Sequence, residues 1–308
     1  MGFKIVFFTL LTMLVYMALG FLLVKGKKAE SSHAKSVSGL LIYVLGPCMI
    51  INAFQKMDYS ISNLKSSLLF FVTTLIIQAV FFVILFFIFK NKLENPIYRI
   101  LCCGGLFGNV GFFGMPIIAS LFPDNPLVSC YSVFYTTSMN ILAFTIGVYL
   151  ITQNRKYMSI KEAIINPTGI AVIFAIVLYL AKVQLPSGII VIVELLGKMA
   201  APVCMIILGM RLASMDFKKV FFQPFAYGVG LLKLLIFPLF AYVIVLLMPW
   251  TDYPFRISIL VLSSAPTAAV ILSFAELHEC EQERTANAIL ISTIFCVLTM
   301  PLLVLLFS

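Results

Sequence analysis

Long unbroken apolar runs constrain this chain more than any other feature. Ten stretches, roughly 4–24, 37–55, 66–89, 97–121, 127–152, 167–184, 189–210, 220–248, 255–275 and 285–307, are each mostly apolar. A helix needs about 20 apolar residues to cross bilayer hydrocarbon, whereas a barrel strand would alternate over about ten. The connections are short and carry Pro96, Pro123, Pro126, Pro167, Pro186, Pro249 and Pro254, so no soluble domain fits between runs. The expected fold class is therefore an all-α polytopic membrane protein with ten transmembrane helices. Composition agrees: 62% of the residues are hydrophobic and only 11% charged, against about 45–50% and about 25% in soluble domains. A soluble enzyme, a disordered chain and a nucleic-acid binder are excluded.

The net charge of +9 resides mainly in the loops. Connections after odd-numbered spans hold fourteen bases: Lys25, Lys27, Lys28, Lys35, Lys90, Lys92, Arg99, Arg155, Lys156, Lys161, Arg211, Lys218, Lys219 and Arg284. The other side holds five: Lys4, Lys56, Lys65, Lys182 and Arg256. Basic loops stay cytoplasmic, so the bias predicts both termini outside. The first run ends in Lys25-Gly26-Lys27-Lys28 without a small-residue cleavage site and reads as a span, not a cleaved signal. Val6 stands where an N-myristoylation signal needs Ser or Thr. Six of the seven cysteines lie in apolar stretches without a C-x-x-C, which suits packing rather than disulfides.

Five spans per half insert with opposite orientation, which predicts an inverted repeat of residues 1–152 and 153–308. Cys48-Met49-Ile50-Ile51 recurs as Cys204-Met205-Ile206-Ile207, with Pro47 and Pro202 just upstream. Span 4 contains Gly104, Gly105, Gly108, Gly111, Gly114 and Pro116, and span 9 contains Ser263-Ser264-Ala265-Pro266-Thr267. Glycine and proline disfavour a continuous helix, though small residues also let membrane helices pack closely. Interrupted helices in corresponding positions point to a transporter binding site, because broken ends expose N–H groups to anions and C=O groups to cations. Pro116 and Pro266 are the expected break points.

These motifs resemble the auxin efflux carrier family, which includes plant PIN proteins and bacterial malonate, malate and lactate carriers. The likeness rests on Asn109 through Pro116, Pro202 through Gly209, Lys233 through Pro238, Ala265-Pro266-Thr267-Ala268, and Thr293 through Pro301. It implies a fold shared with bile-acid symporters and sodium/proton antiporters. Spans 1, 2, 6 and 7 would form a scaffold, and spans 3–5 with 8–10 a moving core whose spans 4 and 9 cross at Pro116 and Pro266. The short 153–166 connection departs from the long central loop of many plant members, which weakens an assignment to auxin.

Polar groups inside spans are costly and mark function. Candidate substrate-binding residues are Asn109, Gly111, Gly114, Pro116, Asn140, Lys233, Pro266 and Thr267. Lys233, in mid-span, suits either a substrate carboxylate or the carbonyls freed at the crossing. Glu194 and Lys198, four apart on one helix face, suit an ion pair at the membrane edge or a role in gating and substrate access. Gln78 and Asn52 suit interhelical hydrogen bonds. Spans 3–5 and 8–10 carry no acid away from their ends, which disfavours a carboxylate sodium site or proton relay. His278-Glu279-Cys280-Glu281-Gln282 lacks the second histidine of H-E-x-x-H, and no G-x-x-x-x-G-K-[ST] occurs. Enzyme chemistry, a metal and a cofactor are not expected. The reading is a secondary carrier of a small organic anion, a mono- or dicarboxylate with auxin-like acids in the class, working by alternating access. The coupling ion, H+ or Na+, is open. An anion channel or facilitator is the alternative, and an intramembrane enzyme ranks last. Lipid is the expected surrounding partner, nucleic acid is not, and a homodimer is left open.

Overall fold

The computed structural model describes residues 2–214 and 221–307, so Lys218, Lys219 and Ser308 lie outside the described residues. Its elements are helical throughout: α1 (Gly2–Lys25), α2 (His33–Gln55), α3 (Ile61–Lys92), α4 (Pro96–Leu106), α5 (Val110–Leu121), α6 (Leu127–Thr152), α7 (Arg155–Leu180), α8 (Ser187–Ala213), α9 (Pro224–Leu246), α10 (Tyr253–Ser263), α11 (Ala269–Leu277) and α12 (Gln282–Phe307). Eight of these are long and apolar enough to cross a membrane, while α4, α5, α10 and α11 are short. This is an integral membrane protein. Many helices are apolar on every side, as helices are that face lipid on one side and protein on the other. Outward-facing residues such as Leu22, Phe87, Ile88, Leu298 and Leu306 are largely exposed.

The helix starts follow elementary chemistry. Asn95 before α4, Asp252 before α10, and Asn166 before the Pro167–Leu180 segment of α7 each accept a first-turn N–H, with a proline at the first or second helical position. Proline lacks an N–H there that would be unbonded anyway. Pro47, Pro116 and Pro238 each follow a widened π-type turn, at Leu41–Leu45, Val110–Gly114 and Leu232–Ile236. Widening absorbs the clash with the preceding carbonyl, so the chain continues as helix.

That corrects the expected break in span 4. Pro116 lies inside α5, at the second position of its straight segment. The interruption falls earlier, at Phe107-Gly108-Asn109, where Phe107 is extended. In the other half the break runs from Ser264 to Ala268 and does contain Pro266. Gly108 pairs with Thr267 in an antiparallel bridge, so the residue across from Pro266 is Asn109, not Pro116. The span 4 glycines serve packing: a Cβ on Gly104 or Gly105 would press on Val229 or Leu232 of α9.

α1, α2 and α8 pack through small residues. A Cβ at Gly20 would strike the carbonyl of Ile206, one at Gly209 the carbonyl of Met17, and one at Gly197 the Met49 backbone at 3.0 Å. Lipid is as apolar as leucine, so close backbone approach must supply the association. Gly209→Val is expected to cost more than the ~1–3 kcal/mol of ordinary overpacking, because backbone cannot yield. The purified variant should lose its monodisperse peak or melt earlier. Gly188→Val, which meets nothing within 4 Å, should stay within ~0.5 kcal/mol of wild type.

Candidate functional site

The two breaks satisfy each other's backbone. Asn109 N donates to Pro266 O at 2.7 Å, and Ala268 N donates to Phe107 O at 2.9 Å. Thr267 N donates to Ser292 Oγ of α12 at 3.0 Å, and Thr267 Oγ1 donates to Gly104 O at 3.0 Å. Lys233 Nζ donates to Ser263 O, at the carboxyl end of α10, at 2.6 Å. Cys296 Sγ reaches Ser264 O at 3.5 Å. Inside a bilayer each unbonded backbone group costs several kcal/mol, so irregular chain persists only where protein supplies partners. Here α9, α12 and the opposite break supply them.

Lys233 is fully buried, with its ammonium 4.7 Å from the Phe237 ring centroid. A Cβ at Gly108 would lie 2.8 Å from its Nζ. The cation therefore sits on the negative end of the α10 dipole, within the knot of the two breaks. Asn109 Nδ2 faces Cys204 Sγ of α8 at 3.9 Å, a contact from the break to another helix group. Gly111 is half-buried and faces Thr136, and Gly114 is buried against Leu262. Asn140 is half-buried in α6, away from the cavity lining. Gln78 Nε2 donates to Thr74 O and Ser138 Oγ, the interhelical role expected of it.

A cavity of ≈ 740 Å³ opens between α1, α2 and α8 on one side and α5 with the start of α6 on the other. Its walls include Thr9, Thr12, Tyr16, Asn52, Lys56, Pro116, Asp124, Asn125, Ser129, Lys198 and Pro202. Asn52 Oδ1 is buried there without a hydrogen-bond partner among the described residues. Glu194 Oε1 accepts from Lys56 Nζ at 2.7 Å and from Lys198 Nζ at 2.9 Å. Of the expected residues, Pro116 and Lys198 line the cavity. Asn109 meets Cys204 just beyond Pro202, and Lys233, Pro266 and Thr267 form the knot behind it. Sequence reasoning missed Lys56, Asp124 and Tyr16. Lys56 and Asp124 lie at helix ends, where a charge reads as ordinary solvated loop until the tertiary structure places it on the cavity wall.

The sequence pattern of the membrane transport protein family matches residues 5–163 and 152–304, together nearly the whole chain. The chain belongs to that family. This membrane transport protein carries the motifs of the auxin efflux carriers in that grouping. It is 26% identical over 299 residues, 96% of each chain, to an uncharacterized transporter of Methanothermobacter thermautotrophicus. It is 25% identical over 283 residues, 89% of each chain, to an uncharacterized transporter of Methanocaldococcus jannaschii. The family is one of membrane transporters. His278 and Glu279 of this transporter lie in a turn past α11, with the His278 ring on Tyr157 at 3.8 Å, and not on the helix face that H-E-x-x-H needs.

Proposed function

We propose that this protein is a secondary carrier of a small organic anion that works by alternating access. In this reading α4–α5 and α10–α11 are each one interrupted span, giving ten spans in two inverted halves, 1–152 and 153–308. α1, α2, α7 and α8 form the scaffold; α3–α6 and α9–α12 form the core, with the interrupted spans crossing at their breaks. Both termini face outside, on the basic-residue bias of the loops.

The observation that carries the reading is the cavity between α1, α2 and α8 and the α5–α6 corner, ending against the half-helix that begins at the break. Lys56 and Lys198 on its wall, which share the single carboxylate of Glu194, leave one positive charge more than that acid takes up, and Asp124 stands on the wall as well; in this scheme the substrate carboxylate competes with these acids for the lysines. Asn109, Gly111 and Pro116 contact the substrate in this scheme. Lys233, Pro266 and Thr267 hold the breaks rigid behind it, and rocking of core against scaffold moves the access from one side to the other.

Counterflow tests the mechanism. Proteoliposomes loaded with unlabelled mono- or dicarboxylate should accumulate labelled substrate transiently above equilibrium. A channel equilibrates without overshoot. Ligands for this test come from a thermal-shift screen, where a bound ligand at 100 times its Kd raises stability by about 2.7 kcal/mol. Linear, non-saturating flux without overshoot overturns the carrier reading in favour of the channel.

A further inference from the structure

α8 carries one more ion pair, at the end remote from the cavity. Arg211, in its last turn, donates Nη2 to Glu276 Oε2 of α11 at 3.3 Å. Thirteen residues separate Lys198 from Arg211, about 20 Å along a helix. Arg211–Glu276 thus ties α8 to α11 where the gap between the two groups is closed. Only ≈ 30 Å³ of space remains beneath it, walled by Leu208, Leu212 and Leu272 among others.

The opposite end holds the counterpart. Lys56 caps the carboxyl end of α2 as Arg211 ends α8, and the two are 155 positions apart. Asp124 follows α5 as Glu276 ends α11, and these are 152 apart. These offsets fall one and four positions short of the 156 between Cys48 and Cys204. Yet the arrangement is asymmetric. Arg211 holds Glu276, whereas Lys56 and Asp124 both line the open cavity. Lys56 is instead held by Glu194, which Lys198 shares, and Asp124 makes no ion pair among the described residues.

We propose that Arg211–Glu276 and Lys56–Asp124 are alternating latches at the two ends of the pathway, one closed while the other is open. Closing the cavity carries Asp124 onto Lys56, which leaves Glu194, and Glu194 stays neutralised by Lys198. Opening the far side parts Arg211 from Glu276. Glu194 is then the resting partner that holds Lys56 in position while the cavity is open. This rests on the two-group carrier reading above, but each latch is measured without transport.

The test is labelling of Ala119→Cys, which lines the cavity on α5, by a membrane-impermeant maleimide in intact cells, with the site resolved by peptide mass. Breaking the far latch with Glu276→Gln, or from its other partner with Arg211→Gln, should slow labelling on the order of twofold to fivefold, the population shift of a half-exposed ion pair. The swap Arg211→Glu with Glu276→Arg should restore the rate to within about twofold, whereas either half alone should slow it. Asp124→Asn added to Glu276→Gln should raise the rate again, since the opposing latch is then lost as well. Unchanged labelling in Glu276→Gln and Arg211→Gln overturns the proposal. So does a further fall on adding Asp124→Asn, or a swap that stays as slow as its single halves. Counterflow present with unmoved labelling sinks the latches alone, and shifted labelling with no counterflow sinks the carrier reading alone.

Discussion

Lys233→Met should abolish saturable uptake while membrane expression stays within roughly twofold of wild type. Two effects oppose each other in stability. The variant leaves Ser263 O, buried at the end of α10, without its 2.6 Å donor, a loss of about 1–3 kcal/mol. It also removes an ammonium that is fully buried in the bilayer, and replacing a buried charge with an apolar side chain of similar length recovers desolvation energy. Folding therefore survives, but the carboxyl end of α10 is no longer held against the break of α4–α5. Uptake should fall more than about tenfold, because a shift of ~1.4 kcal/mol in the break geometry already costs a factor of ten. Lys233→Arg should not restore it. Gly108 backs onto the ammonium so closely that an added Cβ would lie 2.8 Å from Nζ, and a planar guanidinium needs more room than a compact head. Initial uptake rates in vesicles, normalised to purified protein, check both variants. Normal rate and affinity in Lys233→Met would make the lysine a bystander.

Gly108→Val attacks the same knot from the other strand of the bridge. A Cβ there would lie 2.8 Å from both Cε and Nζ of Lys233 and 3.3 Å from Ala265 O. Flexible side-chain ends can yield, but this one is pinned by its bond to Ser263 O. The bridge to Thr267 and the bond from Asn109 N to Pro266 O must open or shift instead. We expect destabilisation of about 1–3 kcal/mol from overpacking and complete loss of uptake. A lowered Tm with folded protein still recoverable, and no uptake, is the expected result. Gly111→Ala in the same span is the contrast, since its added Cβ meets only Thr136 at 3.6 Å. It should keep the wild-type Tm. A Gly108→Val protein that melts and transports like wild type would show that the bridge is not needed.

The two halves of the glycine-rich span show where sequence reasoning reached and where it stopped. Its poor helical composition marked an interruption, and one exists. The proline nevertheless drew the break seven to nine residues too far along the chain. A proline in a helix has a local remedy, the widened turn at Val110–Gly114, so it need not end the helix. An interruption in a bilayer has no local remedy. Its freed N–H and C=O groups must be met from elsewhere, and the other break, α9 and α12 meet them, all placed by the tertiary fold. Gly108 rather than Pro116 is the break because Gly108 can lie against Thr267 and Lys233.

The sequence by itself determined the solvent and the element type. Runs of about twenty apolar residues cannot leave their backbone polar groups unbonded in hydrocarbon, so helices spanning a membrane were the one outcome open to them. It also marked the lysine of α9 as exceptional, since a charge at that depth needs a partner. Which partner was decided only in three dimensions: Ser263 O, thirty residues away in α10. The same holds for Lys56 with Glu194, 138 residues apart, and Arg211 with Glu276, 65 apart. Charges at helix ends are cheap in any loop, so their sequence carries no record of which way they face. Their pairing depends on how the helix groups sit against each other, and that is a property of the packed structure.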